Sequence, residues 1–219
     1  MSVELSDVWK RYSVDYVLRG VSLKLREGEF ISIRGKSGVG KTTLLKIIGA
    51  MEKPTKGSVK IMGLEPYKLP DPERSRLRLR IGYVFQLFNL IPHLTALENV
   101  ELPLAIQGVP KRERRLRALE ALKRLGVENL QDRLTKELSG GEKQRIAVAR
   151  ALVTKPRLIL ADEPTSNLDP ENTEIILDIL LEECRRRKAS IIITTTDPYE
   201  KLPTHRDYIL KNGSLESIS

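Results

Sequence analysis

The chain has 219 residues, with 38 Lys and Arg against 29 Asp and Glu and 40% hydrophobic residues. That length suits one domain with a sizeable core, and the mix of apolar and charged residues excludes a disordered, collagen-like or disulfide-scaffold chain. The formal charge of +9 fits attraction to nucleic acid, to anionic lipid or to an anionic small ligand, and composition does not choose among them. The one cysteine, Cys184, has no partner for an internal disulfide, which points to a reducing compartment and a small buried side chain. No apolar run approaches the roughly 18 residues of a membrane span, and Met1-Ser2-Val3-Glu4 lacks the features of a secretion signal, so neither is expected.

Alternation at Val3 and Leu5, and again at Val21, Leu23 and Leu25, predicts half-exposed strands, and Glu27-Gly28-Glu29 a turn, so the chain should open with antiparallel sheet. Phe30 to Ile33 reads as a buried strand running into a glycine-rich loop, and the spacing of Leu44, Leu45, Ile47 and Ile48 as the helix that follows. Asp71 and Pro72 predict an N-cap and first helical residue, and Gly82 to Gln86 a short strand. From about 87 to 138 the pattern is mainly helical. It is clearest over Arg112 to Leu125, where Leu116, Leu119, Leu122 and Leu125 recur every three residues. The basic run at 111–115 reads as a solvated helix face or as one turned to lipid or a partner. Beyond it come a helix from Ser139 to about Leu152, a strand from Leu158 to Ala161, a helix from Pro170 to Arg187, a strand from Ser190 to Thr195 and a last strand near Tyr208 to Leu210. Strands alternating with helices imply a largely parallel sheet covered on both faces.

Three constellations carry chemistry. Gly35-Lys36-Ser37-Gly38-Val39-Gly40-Lys41-Thr42 is a P-loop, placed between the strand and helix its mechanism requires. Its glycines let backbone N–H groups face a phosphate, Lys41 neutralises β- and γ-phosphate charge, and the Thr42 hydroxyl is placed for Mg²⁺. Leu158 to Glu163 is an apolar strand ending in two acids, where a parallel sheet presents its ligand crevice. Beside a P-loop, Asp162 can hold the Mg²⁺ shell while Glu163 polarises an attacking water. The third is Leu138-Ser139-Gly140-Gly141-Glu142-Lys143-Gln144-Arg145, where Ser139 and Glu142 form a capping box; it reads as a well-started helix or as a helix end that receives an anion.

Together these residues resemble the nucleotide-binding domain of ATP-binding cassette (ABC) transporters, over essentially the whole chain. The resemblance implies an α/β fold of the ABC ATPase type, a P-loop NTPase spanning 1–219. Its RecA-like core, with an N-terminal antiparallel β sub-domain, takes about 1–87 and 139–219, and a helical sub-domain about 88–138. It further implies that Gly35 to Thr42, with Thr43, bind ATP while Tyr12 stacks on adenine, that Gln86 is the Q-loop glutamine beside Mg²⁺ with Thr42 and Asp162, and that Leu138 to Gln144 is the signature sequence. In the family's head-to-tail dimer, Ser139, Gly140 and Gly141, with Asp169 of the D-loop Ser166-Asn167-Leu168-Asp169, face the nucleotide held by the other subunit. The stretches Phe85 to Pro92 and Leu94 to Val100 are similar to the lipoprotein-releasing, macrolide-exporter and cell-division branch.

The function implied is that of a Mg²⁺-dependent ATPase subunit, with Glu163 activating water. It would pair with a like or related subunit around ATP and drive a separate transmembrane permease from the inner face of the cell membrane. Two other readings stand beside it. One is a soluble ABC ATPase acting on nucleic acid, although the chain lacks the coiled-coil, zinc or tandem additions of such proteins; the other is a weakly hydrolysing regulatory module. The chain also departs from the family. The strand that usually ends Thr-His-Asp here ends Thr195-Thr196-Asp197, so Thr196 takes the place of the histidine that contacts the γ-phosphate. Slower hydrolysis is the expectation. His205, in the following loop, is the other candidate for that role, and His93, in the helical insertion, is expected at the surface or against a partner.

Overall fold

The computed structural model describes residues 1–166 and 168–218, so Asn167 of the D-loop lies outside the described residues. The alternating N-terminal segment forms β1 (Val3–Tyr12) and β2 (Asp15–Leu25), and β4 (Lys56–Ile61) joins them in an antiparallel sheet of order β2-β1-β4. The second sheet contains β3 (Phe30–Arg34), β5 (Ile81–Val84), β6 (Leu158–Asp162), β7 (Ser190–Thr195), β8 (Arg206–Lys211) and β9 (Ser214–Ser217). Its order is β5-β6-β7-β3-β8-β9, parallel from β5 to β8, with β9 antiparallel at the edge.

Every residue of β3, β6 and β7 is buried, as continuous apolar strands of a doubly covered sheet should be. Side chains alternate between two cores. Ile31, Ile33, Leu158, Leu160 and Ile192 face the antiparallel sheet and α1 (Lys41–Ile48), whose Leu44, Leu45, Ile47 and Ile48 are all buried there. Phe30, Ile159, Ala161, Ile191 and Ile193 face the opposite core with α5 (Gly140–Leu152) and α6 (Pro170–Arg187).

Between β5 and β6 the chain inserts α3 (Ala96–Ile106) and α4 (Lys111–Arg124), which pack on each other and on α5. Thr95 starts α3 with a reciprocal capping box: its hydroxyl accepts from Glu98 N–H, and Glu98 accepts from Thr95 N–H. Arg124 ties α4 to α6 by pairing with Glu182 at 3.0 Å and with the buried Glu183 at 2.8 Å. A lone buried carboxylate would be costly, and the second arginine on Glu183, Arg187 at 3.4 Å, offsets that desolvation.

Some sequence expectations shift. α2 (Asp71–Arg78) begins one residue early: Pro70 holds the N-cap position, and Asp71 pairs with Arg74 instead of capping. The strand expected to run to Gln86 ends at Val84, which leaves Phe85 and Gln86 beyond the sheet. Leu116, expected on the apolar face of α4, is 62% exposed. The basic run at the start of α4 is largely exposed, as is His93. Cys184 is buried, its Sγ donates to Gly28 O, and burial pushes the thiol pKa up.

Ile192→Ala, in the middle strand of the site-bearing edge, should lower unfolding free energy by about 2–5 kcal/mol in urea titrations. Leu116→Ala should stay within about 0.5 kcal/mol of the parent. Equal effects of the two would contradict the two-core arrangement.

Candidate active site

The parallel sheet aims the C-terminal ends of β3, β6 and β7 at one edge, and the loops leaving them build the site. β3 feeds the loop from Gly35 to Gly40, and α1 starts at Lys41 with no side chain capping it. Its first N–H groups are therefore left for an anion. Gly40 makes the turn at φ 110°, where a Cβ would come within 2.7 Å of Val17 Cγ1. Lys36, Ser37 and Gly38 are exposed, while Lys41 is only 4% exposed.

Lys41 folds back over the loop: its Nζ donates to Gly35 O at 2.7 Å and Lys36 O at 3.1 Å, and lies 3.1 Å from Glu163 Oε1. The other carboxylate oxygen of Glu163 accepts from Gln86 Nε2 at 3.1 Å. One buried carboxylate thus joins the P-loop, the end of β6 and the loop after β5. Glu163 sits at φ 47°, a left-handed conformation unusual for a non-glycine residue, and its carbonyl accepts from the Ser166 hydroxyl at 2.8 Å.

Asp162, 2% exposed, ends β6 opposite Thr194 of β7. The Thr194 hydroxyl donates to Asp162 Oδ1 at 2.8 Å and accepts from Glu163 N–H at 3.0 Å. No group of three His, Cys, Asp or Glu is gathered among the described residues, so no all-protein metal cage forms there. The Thr42 hydroxyl, Asp162 carboxylate and Gln86 carboxamide instead offer hard oxygen donors that suit Mg²⁺, an ion that keeps water and phosphate in its shell.

Thr196 is exposed and lines a cleft of about 270 Å³ with Glu163, Thr165, Ser166, Asp197 and Glu200. Arg34, which the sequence reading did not single out, shapes this loop by donating to Asp197 O, Pro198 O and Glu200 O. The other candidate is corrected by position: His205 Nδ1 accepts from Phe30 N–H at 3.0 Å, and the His205 backbone N–H donates to Phe30 O at 2.7 Å. Phe30 begins β3, four residues or about 13 Å of extended strand away from the P-loop end, so His205 does not reach the site.

Tyr12 is 44% exposed, and its hydroxyl bonds to Glu52 and lies beside Thr43, the residue after the P-loop. Burial and the Glu52 carboxylate raise its phenol pKa. Ser139 and Gly140 are exposed, and Ser139 bonds to Glu142 in the capping box rather than to its own P-loop. Asp169 caps α6 by accepting from Asn172 N–H at 2.8 Å, and the Asn172 carboxamide lies close against Gly141. α5 is tied to the site at two further points. Gln144 Nε2 donates to Pro164 O at 2.8 Å, and Arg150 donates to Phe88 O and Asn89 O, both in left-handed residues of the loop after Gln86. Burial lowers the Arg150 pKa to about 10, so it stays charged at neutral pH. Arg150 has no one-dimensional signal, because it acts through partners far along the chain, and Gln144 is marked in the sequence only as the end of the signature stretch.

Residues 18–166 match the family described as ABC transporter. An ABC transporter ATP-binding protein of Thermotoga maritima is 47% identical over 88% of this chain and 84% of its own length. The lipoprotein-releasing system ATP-binding protein LolD of Aquifex aeolicus is 45% identical over 91% of this chain and 89% of its own. The dimeric post-hydrolysis structure of the ATP-binding cassette MJ0796, a Methanocaldococcus jannaschii protein, bound to ADP and Pi, superposes with a TM-score of 0.93 at 42% identity, covering 99% of both chains.

Gly40→Ala would need a left-handed alanine in contact with Val17. Affinity for a fluorescent ATP analogue should fall at least about tenfold, the equivalent of roughly 1.4 kcal/mol. Unchanged affinity would contradict the role given to this turn.

Proposed function

The chain belongs to the ABC transporter family, and we propose that it is an ATP-binding subunit that hydrolyses ATP with Mg²⁺ at the edge where Lys41, Gln86 and Glu163 meet. That meeting is the observation that carries the reading. It joins a buried P-loop lysine, a buried carboxylate and the amide of the exposed Gln86. In the mechanism, the P-loop N–H groups and the start of α1 hold the phosphates, and the Tyr12 ring stacks on adenine. Lys41 exchanges its carbonyl and carboxylate partners for β- and γ-phosphate oxygens. Glu163, released from Lys41, is then free to polarise the attacking water, with Gln86 still beside it. Thr42, Asp162 and Gln86 would hold Mg²⁺, whose charge offsets the charge building up on the phosphates.

The exposed Ser139 and Gly140 and the half-buried Gly141, with Asp169 beside them through Asn172, suit a role toward the nucleotide of a second subunit, like or related. The dimeric, ADP- and Pi-bound state of MJ0796 supports this arrangement. No helix of the described residues is long and apolar enough to cross a membrane. For transport the chain would work with a permease, docked where Tyr83, Phe85, Pro103 and Arg150 line a groove of about 190 Å³ between β5 and the helical insertion. A place on the inner membrane face fits the positive charge of the chain, which would meet anionic lipid there.

The exposed Thr196 hydroxyl is shorter than an imidazole and uncharged. Loss of one positioned transition-state donor costs about 10² to 10³ in rate, so this subunit should turn over slowly for its family. Thr196→His, which the adjoining cleft has room to accept, should raise steady-state phosphate release at least about tenfold. No gain would show that Thr196 is not what limits the rate. Glu163→Gln should lower turnover at least about 100-fold and give a dimer with ATP on size-exclusion chromatography. A chain that stays monomeric with ATP, or keeps its turnover, would contradict the role of Glu163.

A further inference from the structure

Thr194 is fully buried in β7, in register with Asp162 of β6, and its hydroxyl is used twice. It donates to Asp162 Oδ1 at 2.8 Å and accepts from Glu163 N–H at 3.0 Å. A strand core needs no hydroxyl at such a position, because β-branched apolar residues fill it equally well, as Ile191, Ile192 and Ile193 do in the same strand. The hydroxyl occupies Oδ1 and leaves Oδ2 as the carboxylate oxygen free to turn to the site. It also anchors the backbone of Glu163 at the point where that residue enters its left-handed conformation.

We propose that Thr194 is a positioning residue for both acids, fixing the Asp162 carboxylate so that Oδ2 is its metal-binding oxygen and holding Glu163 over the P-loop lysine. The proposal rests on the reading of Asp162 as a Mg²⁺ ligand. Partners of this kind set the orientation and basicity of a metal ligand, and losing one typically weakens metal affinity or activity about 10- to 100-fold. A purely structural hydroxyl would change melting temperature without changing the response to the metal.

The test compares the full chain with Thr194→Val, which keeps the shape and removes the hydroxyl, and Thr194→Ser, which keeps the hydroxyl. Each is titrated with Mg²⁺ at a fixed concentration of trinitrophenyl-ATP, read by fluorescence, alongside its affinity in EDTA, its melting temperature and its ATP turnover. The valine chain should need about tenfold more Mg²⁺ for half-saturation and turn over at least about tenfold more slowly, with affinity in EDTA unchanged. The serine chain should stay within about twofold of the parent. Thr194→Ala carries the same test should the valine chain not fold. A Mg²⁺ response in the valine chain equal to that of the parent would overturn the role of Thr194 alone. A parent chain whose nucleotide binding ignores Mg²⁺ would overturn the metal assignment on which it rests.

Discussion

A buried lysine and a buried glutamate, held 3.1 Å apart at the end of a parallel sheet, are the contact on which the rest of the site depends. Two such charges are expensive to desolvate unless each is satisfied by further bonds. Lys41 has two P-loop carbonyls and Glu163 has Gln86, so the pair holds three segments together: the P-loop, the end of β6 and the loop that leads to the helical insertion. In the proposed mechanism a triphosphate, a stronger partner for the lysine than a carboxylate, frees Glu163 when it arrives. On that proposal binding and activation are one event, because the group that neutralises the substrate is the group that restrains the base.

The surrounding structure serves that event. β7 lies between β3 and β6, so the strand that carries Thr194 and leads into Thr196 separates the P-loop strand from the acidic one. Arg34 fixes the loop beyond Thr196, and Arg150 fixes the loop beyond Gln86 from the far side of α5. The core containing α3 and α4 is continuous with that containing α5, α6 and one face of the sheet. A displacement of the helical layer therefore bears on the Gln86 loop and on Pro164 through Arg150 and Gln144. The path from the helical insertion to the site consists of two side chains on one helix.

Much of this was legible in the sequence because the signals are local. The P-loop glycines, the apolar run ending at Asp162 and Glu163, the capping box at Ser139 and the helix from Pro170 to Arg187 each declare themselves within a few residues, and the structure places all of them as expected. β4 and β9 were missed, because short edge strands with several exposed residues lack clean alternation. The roles of Thr194, Arg34 and Arg150, and the bond that Gln144 of the signature stretch makes to Pro164, are not legible for a different reason. Their significance lies in partners from 20 to 166 residues away, which no window of sequence contains. His205 shows the reverse error: proximity in sequence to Thr196 suggested a role that the direction of β3 and β8 forbids.

The central claim is that one chain holds an incomplete ATPase site, finished by the exposed helix start of a second. The most direct test is the specific activity of the purified chain with Mg²⁺ and saturating ATP, measured over about two decades of protein concentration below the dimer dissociation constant. The account predicts phosphate release per chain that rises in proportion to protein concentration there and levels off above it. A rate per chain independent of concentration in that range, or release that persists in a chain unable to dimerise, would contradict it.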